Sequence, residues 1–209
     1  MAQYASENAL LAEQLGQAGV GDASSAAKAM GSGGVDEPGT LDGSIKDFKK
    51  FFRKEFVYAK GIRETWVLRE RTQRAIYRQS FSKNPLAKGF DLDRITVSFW
   101  KSIPSKNVRA FTIGDHVTFS RAEWNGHSTL SNLRLVGHEV THSVQYDIMG
   151  YIYFGIRYRV DELLYGDKRY DTPGGLKPEN SDLSTLSPVD PRFTLDALAD
   201  RFAADIQGF

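Results

Sequence analysis

The clearest hydrophobic pattern in the chain lies near its middle, where Leu130, Leu133, Gly137, Val140 and Val144 recur at steps of three and four. That spacing predicts a helix with one buried stripe, and Ser128 stands where its N-cap belongs. Upstream, Ile95, Val97 and Phe99 alternate with polar residues in the period of a strand. Arg109 to Ile113 and His116 to Phe119 are two further strand-like runs, and the Gly114-Asp115 pair between them predicts a tight hairpin. Between Ile45 and Phe81 the apolar positions Ile45, Phe48, Phe52, Phe56, Ile62, Trp66 and Ile76, interrupted by Gly61, predict one or two amphipathic helices. Asn84-Pro85 and Lys88-Gly89 end them. Downstream, the uncharged run Ile148 to Ile156 leads into a second expected core helix, Tyr151 to about Leu164. Gly166 to Pro191, rich in Pro, Gly, Ser and Asp, reads as a long loop. Leu195, Leu198, Phe202 and Ile206 are spaced for burial on a closing helix, Phe193 to Ile206.

Composition narrows the organisation. A chain of 209 residues, 41% of them hydrophobic, can bury one good core. The expectation is one domain over 44–209, with amphipathic helices over 44–81 and a core over 86–209. Residues 1–43 divide into an Ala/Leu/Gln-rich piece, Tyr4 to Gln17, and a Gly/Ala/Ser stretch. The latter has too few large side chains to offset the entropy of ordering, so 1–43 reads as a flexible tail or linker.

The net charge of +1 excludes no class of partner. Over 44–80, eleven Lys and Arg stand against four Asp and Glu. No base-stacking or groove-reading motif accompanies them, so the excess reads as a solvated helix face and no nucleic-acid partner is expected. The uncharged run at 148–156 falls far short of the ~20 residues that span a bilayer, so no transmembrane segment is expected. The N-terminus lacks a basic region followed by an apolar one. The expectation is a protein cytoplasmic as synthesised, without a Sec signal peptide, whose export would need a specialised secretion or injection system. There are no cysteines, so any metal must be held by His and carboxylate.

That restriction gives weight to His138-Glu139-Val140-Thr141-His142. On a helix, residues four apart lie about 40° from each other, so both imidazoles project from one face and can share one metal ion. Glu139 follows His138 directly and brings a carboxylate to the same side. Two neutral histidines, one further ligand and one open position make a catalytic zinc site, where a water's pKa falls to near 7. Glu139 is then the expected general base. The third ligand must come from elsewhere.

The segment Val108 to Phe119 followed by Leu135 to Tyr146 resembles a family of bacterial metallopeptidase-like domains. That family reads as an R-A-[FY]-T-x-G hairpin and then H-E-[LV]-T-H-x-x-Q, and is associated with extracellular contractile injection systems and other toxin-delivery proteins. The resemblance covers roughly residues 86 to 205 and is strongest over 108 to 146. It implies an α+β, zincin-like fold with a small antiparallel sheet, a metal helix and a C-terminal ligand helix, the sheet's edge strand pairing with extended substrate backbone. It also implies a zinc metallopeptidase of the gluzincin type, a hydrolase acting on protein or peptide substrates as a bacterial effector or toxin, with injection-system components as partners. The alternative is a non-catalytic zinc-binding scaffold or delivery module.

In zincins of the Glu-ligand type, a later helix supplies the third ligand, and an Asp four residues on orients a ligand histidine. Asp196-Ala197-Leu198-Ala199-Asp200 has that form, making Asp196 the expected ligand and Asp200 the orienting residue. Asp196 is one methylene shorter than Glu, so its helix must approach more closely. Glu162 competes as ligand, but Gly166 stands where its orienting Asp should be. His116 and His127 read as a hairpin surface residue and a residue of the turn before the metal helix.

Overall fold

The computed structural model describes residues 45–57, 63–100, 108–165 and 178–209. The tail expected over 1–43 lies outside the described residues. The class is α+β: five strands in one mixed sheet, with helices packed against it.

A four-residue helix α1 (Phe48–Phe51) leads directly into strand β1 (Phe52–Val57), which pairs antiparallel with β2 (Arg63–Leu68). This corrects the expectation of amphipathic helices from Ile45 onward. Phe52 and Phe56 are four apart, which suits a helix face and equally one face of a strand, where residues i, i+2 and i+4 align. The β-branched and aromatic residues Phe56, Val57, Thr65, Trp66 and Val67 favour the second solution. Only the last part of the segment is a longer helix, α2 (Glu70–Gln79), which buries Thr72, Ala75 and Ile76.

Strand β3 (Thr96–Trp100) buries Val97 and Phe99 as its alternation predicts. Strands β4 (Ala110–Ile113) and β5 (His116–Ser120) form the expected hairpin, with Ile113 opposite His116 and Gly114 at φ +60° in the turn. The sheet order is β1-β2-β3-β5-β4. Because β4 lies at the edge, β5 is inserted beside β3 and runs parallel to it. The sheet is therefore mixed, not wholly antiparallel, and the strand at its β4 end lies against the helix that carries His138 and His142.

A two-turn helix α3 (Arg121–Gly126) precedes the long helix α4 (Thr129–Met149). Ser128 caps α4, its side chain accepting from the Ser131 amide. Leu133, Val136, Val140 and Val144 enter a core with Phe48, Phe51, Phe52, Phe99, Phe119 and Trp124. The Trp124 ring stands edge-on to Phe51 and Phe119 at 5.0 Å, the arrangement aromatic pairs prefer. Helix α5 (Tyr151–Tyr165) follows, then, after a break in the described residues, a segment from Pro178 onward and helix α6 (Leu195–Ala204).

Helix α5 is not the core helix its uncharged start suggested. It buries only Phe154 and Asp161, while Ile152 is 72% and Leu163 80% exposed. A run without charges does not say which side is covered; here one narrow stripe is. No helix among the described residues is long and apolar enough to cross a membrane.

The segment before α6 is tied down firmly. Asn84 donates to the carbonyls of Leu183 and Leu186, both at 2.6 Å, and accepts from the Leu86 and Ala87 amides, so both ends of its buried amide are satisfied. Leu183, Leu186 and Phe193 reach the core from this segment. All four apolar residues expected to be buried around α6, namely Leu195, Leu198, Phe202 and Ile206, are fully buried.

Candidate metal centre

Helices α4 and α6 run antiparallel in close contact. Gly137 faces Ala203 and Ile206, His138 faces Asp200, His142 faces Asp196, and Gln145 reaches the Leu195 carbonyl. A Cβ on Gly137 would stand 2.4 Å from Ile206 Cδ1 and 3.8 Å from the Ala203 backbone. Gly137 thus leaves room for the Ile206 side chain, and the small Ala203 side chain lies opposite it on α6. The close contact of the two helices is what the shorter Asp196 side chain requires.

At the interface three potential ligand atoms converge. The Nε2 atoms of His138 and His142 lie 3.1 Å apart, and Asp196 Oδ1 lies 3.2 Å from His142 Nε2 and 3.7 Å from His138 Nε2. All three residues are buried, and among the described residues they form the group able to hold a metal ion. Tetrahedral zinc with bonds of about 2.0–2.2 Å keeps its ligand atoms roughly 3.3–3.5 Å apart, so the observed triangle fits such an ion.

The outer nitrogens fix the tautomers. His138 Nδ1 lies 2.8 Å from Asp200 Oδ1, and His142 Nδ1 lies 2.7 Å from Gln145 Oε1. The Gln145 amide cannot be reversed, because its Nε2 donates to the carbonyls of Pro188 at 2.8 Å and Leu195 at 3.1 Å. Each Nδ1 therefore carries the proton and donates it outward, leaving a lone pair on each Nε2. Two lone pairs and a carboxylate oxygen then face one another, an arrangement that demands a cation between them.

Burial acts to lower the pKa of His138, but the hydrogen bonds to Asp196 and Asp200 and the Glu139 charge outweigh it and hold the imidazole well above its ordinary value. Burial likewise acts to raise Asp196, and the two imidazoles outweigh it, holding the carboxyl far below the usual carboxylate range.

Glu139, one residue along α4, is 4% exposed, and its Oε2 accepts a hydrogen bond of 2.7 Å from the Thr112 hydroxyl on β4. Phe154 and Tyr158 of α5 stand edge-to-face with the His142 ring at 5.8 and 6.1 Å. Asp161, also on α5, accepts from the Leu195 amide at 2.9 Å. Leu195, the residue preceding Asp196, is thus held at both of its backbone groups, its N–H by Asp161 and its carbonyl by Gln145.

The structure separates the candidates for third ligand. Asp196 joins the two histidines, while Glu162, on α5, pairs with Arg159 and is no part of the group. His116 lies on the sheet, with Thr96 Oγ1 at 2.9 Å from Nδ1 and Ser98 Oγ at 2.9 Å from Nε2, and burial lowers its pKa. His127 stands near Glu123 at the end of α3. Gln145 and Thr112 are positions of the two quoted motifs, H-E-[LV]-T-H-x-x-Q and R-A-[FY]-T-x-G, but neither was given a role from the sequence. Gln145 carried a usable signal, since a residue three positions after His142 shares its side of the helix. Thr112 carried only its place in the hairpin motif, because its partner is 27 residues away and no local spacing records the contact.

Gln145→Leu should weaken metal binding roughly 10- to 100-fold in competition with a chromophoric chelator, because His142 loses its orienting acceptor and two buried carbonyls lose their donor. Unchanged affinity would show that the Gln145 contact does not orient a ligand.

The fold and the buried His-His-Asp group define an α+β domain equipped to hold a metal. Residues 89–149 match the family model described as the eCIS core domain, a stretch that spans β3, the β4–β5 hairpin and the whole of α4. The similarity to a family associated with extracellular contractile injection systems, read from the sequence, holds over this stretch. No curated protein and no solved structure matches the chain.

Proposed function

We propose that the domain is a zincin-like, zinc-dependent metallopeptidase operating within a contractile injection or toxin-delivery system. The observation that carries this reading is the convergence of two outward-locked imidazoles and a buried carboxylate on one point, with Glu139 beside it. Zinc held by His138, His142 and Asp196 would polarise a peptide carbonyl and make a water acidic enough to attack it. Asp200 and Gln145 keep both imidazoles aimed inward. The Glu139 carboxylate takes a proton from the attacking water and returns it to the amine nitrogen as the C–N bond breaks, so that a carboxylate and an amine leave. The match to the eCIS core domain supports the delivery setting, and the peptide substrate is what the resemblance to zincins implies.

Incubation of the zinc-loaded protein with a proteome-derived peptide library tests the reading. Cleavage that a chelator abolishes and zinc restores is the expected result. A loaded protein that cleaves nothing would put the non-catalytic zinc scaffold in its place.

A further inference from the structure

Resting on the reading of Glu139 as the base, we propose that Thr112 of edge strand β4 is a positioning residue that holds the Glu139 carboxylate in its working rotamer. Thr112 lies opposite Val117 in the β4–β5 register and shares its buried side of the sheet, from which it reaches α4. Its hydroxyl has two acceptors on the same residue, Glu139 Oε2 at 2.7 Å and the Glu139 backbone carbonyl at 3.1 Å. The shorter of the two contacts is to the carboxylate oxygen, the stronger acceptor.

The consequence is geometric. A glutamate side chain forfeits rotamer entropy when fixed, and a base that must be fixed during the reaction adds that cost to the barrier. Thr112 fixes it beforehand by gripping Oε2, which leaves Oε1 for the water. Both residues are at least nine-tenths buried, so bulk water is a poor substitute for the hydroxyl. The bond also ties the edge strand to the base, so a displacement of β4 is transmitted to the carboxylate.

The test uses the full chain loaded with zinc, with acetohydroxamic acid as probe. This acid binds a metal through two oxygens and gives its proton to a neighbouring carboxylate, so its affinity reports whether Glu139 is aimed at the site without requiring a known substrate. Thr112→Val, which keeps the shape and removes the hydroxyl, should retain the zinc and weaken acetohydroxamate binding about 10-fold or more by calorimetry. Thr112→Ala carries the same expectation should valine not fold, and Thr112→Ser should bind like the parent. With any peptide the protein cleaves, the loss should fall on kcat and leave KM in place. Parent-like binding by the valine and alanine variants, alongside weakened binding by Glu139→Gln, would overturn the role of Thr112 and leave the peptidase reading intact. Parent-like binding by Glu139→Gln would remove the base itself, and the proposal with it.

Discussion

Glu139→Gln should leave the fold and the bound zinc intact while reducing peptide cleavage by about 10²- to 10⁴-fold, the range that a positioned general base contributes. Glutamine keeps the size of the side chain, and its carbonyl oxygen can still accept from the Thr112 hydroxyl that now bonds Oε2. What it lacks is a basic oxygen to take the proton of the attacking water. The rates to compare are those of parent and variant, at equal zinc content, on the same library peptides. A scaffold has no such dependence. If the variant matches its parent in cleavage and in a cellular toxicity or assembly assay, Glu139 is only a polar neighbour on α4 and the peptidase reading is lost.

The second large effect concerns the ligands. Asp196→Ala should weaken zinc binding by on the order of 10²-fold or more, as should His138→Ala and His142→Ala, because two remaining ligands compete poorly with water. Asp200→Ala removes the partner of His138 Nδ1 and should cost roughly 10- to 100-fold. Glu162→Ala should leave affinity within about twofold, since that carboxylate pairs with Arg159 outside the group. Chelator competition on the purified variants gives the order directly. Loss of zinc in the Glu162 variant with retention in the Asp196 variant would move the third ligand onto α5.

Much of this site could be read from the chain because its two halves are local patterns. The stripe of α4 and the i, i+4 histidines belong to one helix and were legible from spacing, and the Asp196 and Asp200 pair belongs to another and was legible through the resemblance to zincins of the Glu-ligand type. Their meeting was not. Gly137, one position of the stripe, packs against Ala203 and Ile206, a contact that spacing within α4 does not record. The choice between Asp196 and Glu162 likewise turned on packing between helices, which periodicity does not record.

The hairpin β4–β5 was legible from Gly114-Asp115, but its place at the edge of the sheet, and hence the parallel pairing of β3 with β5, was not. Local alternation does not determine strand order. The helical reading of 52–68 failed for a different reason. Aromatic residues four apart satisfy both periods, and β1 and β2 are held by each other and by β3, a neighbour about 30 residues downstream. In α5 an uncharged run looked like core, yet Ile152, Leu163 and Leu164 face outward, and Phe154 and Asp161 are the helix's only buried residues.

The most direct measurement of the central claim is the metal content of the full-length protein, purified without chelator, dialysed against metal-free buffer and analysed by inductively coupled plasma mass spectrometry. Two locked imidazoles and a buried carboxylate 3.1–3.7 Å apart predict about one zinc per chain. A content near zero, with no uptake when zinc is added back, would contradict it.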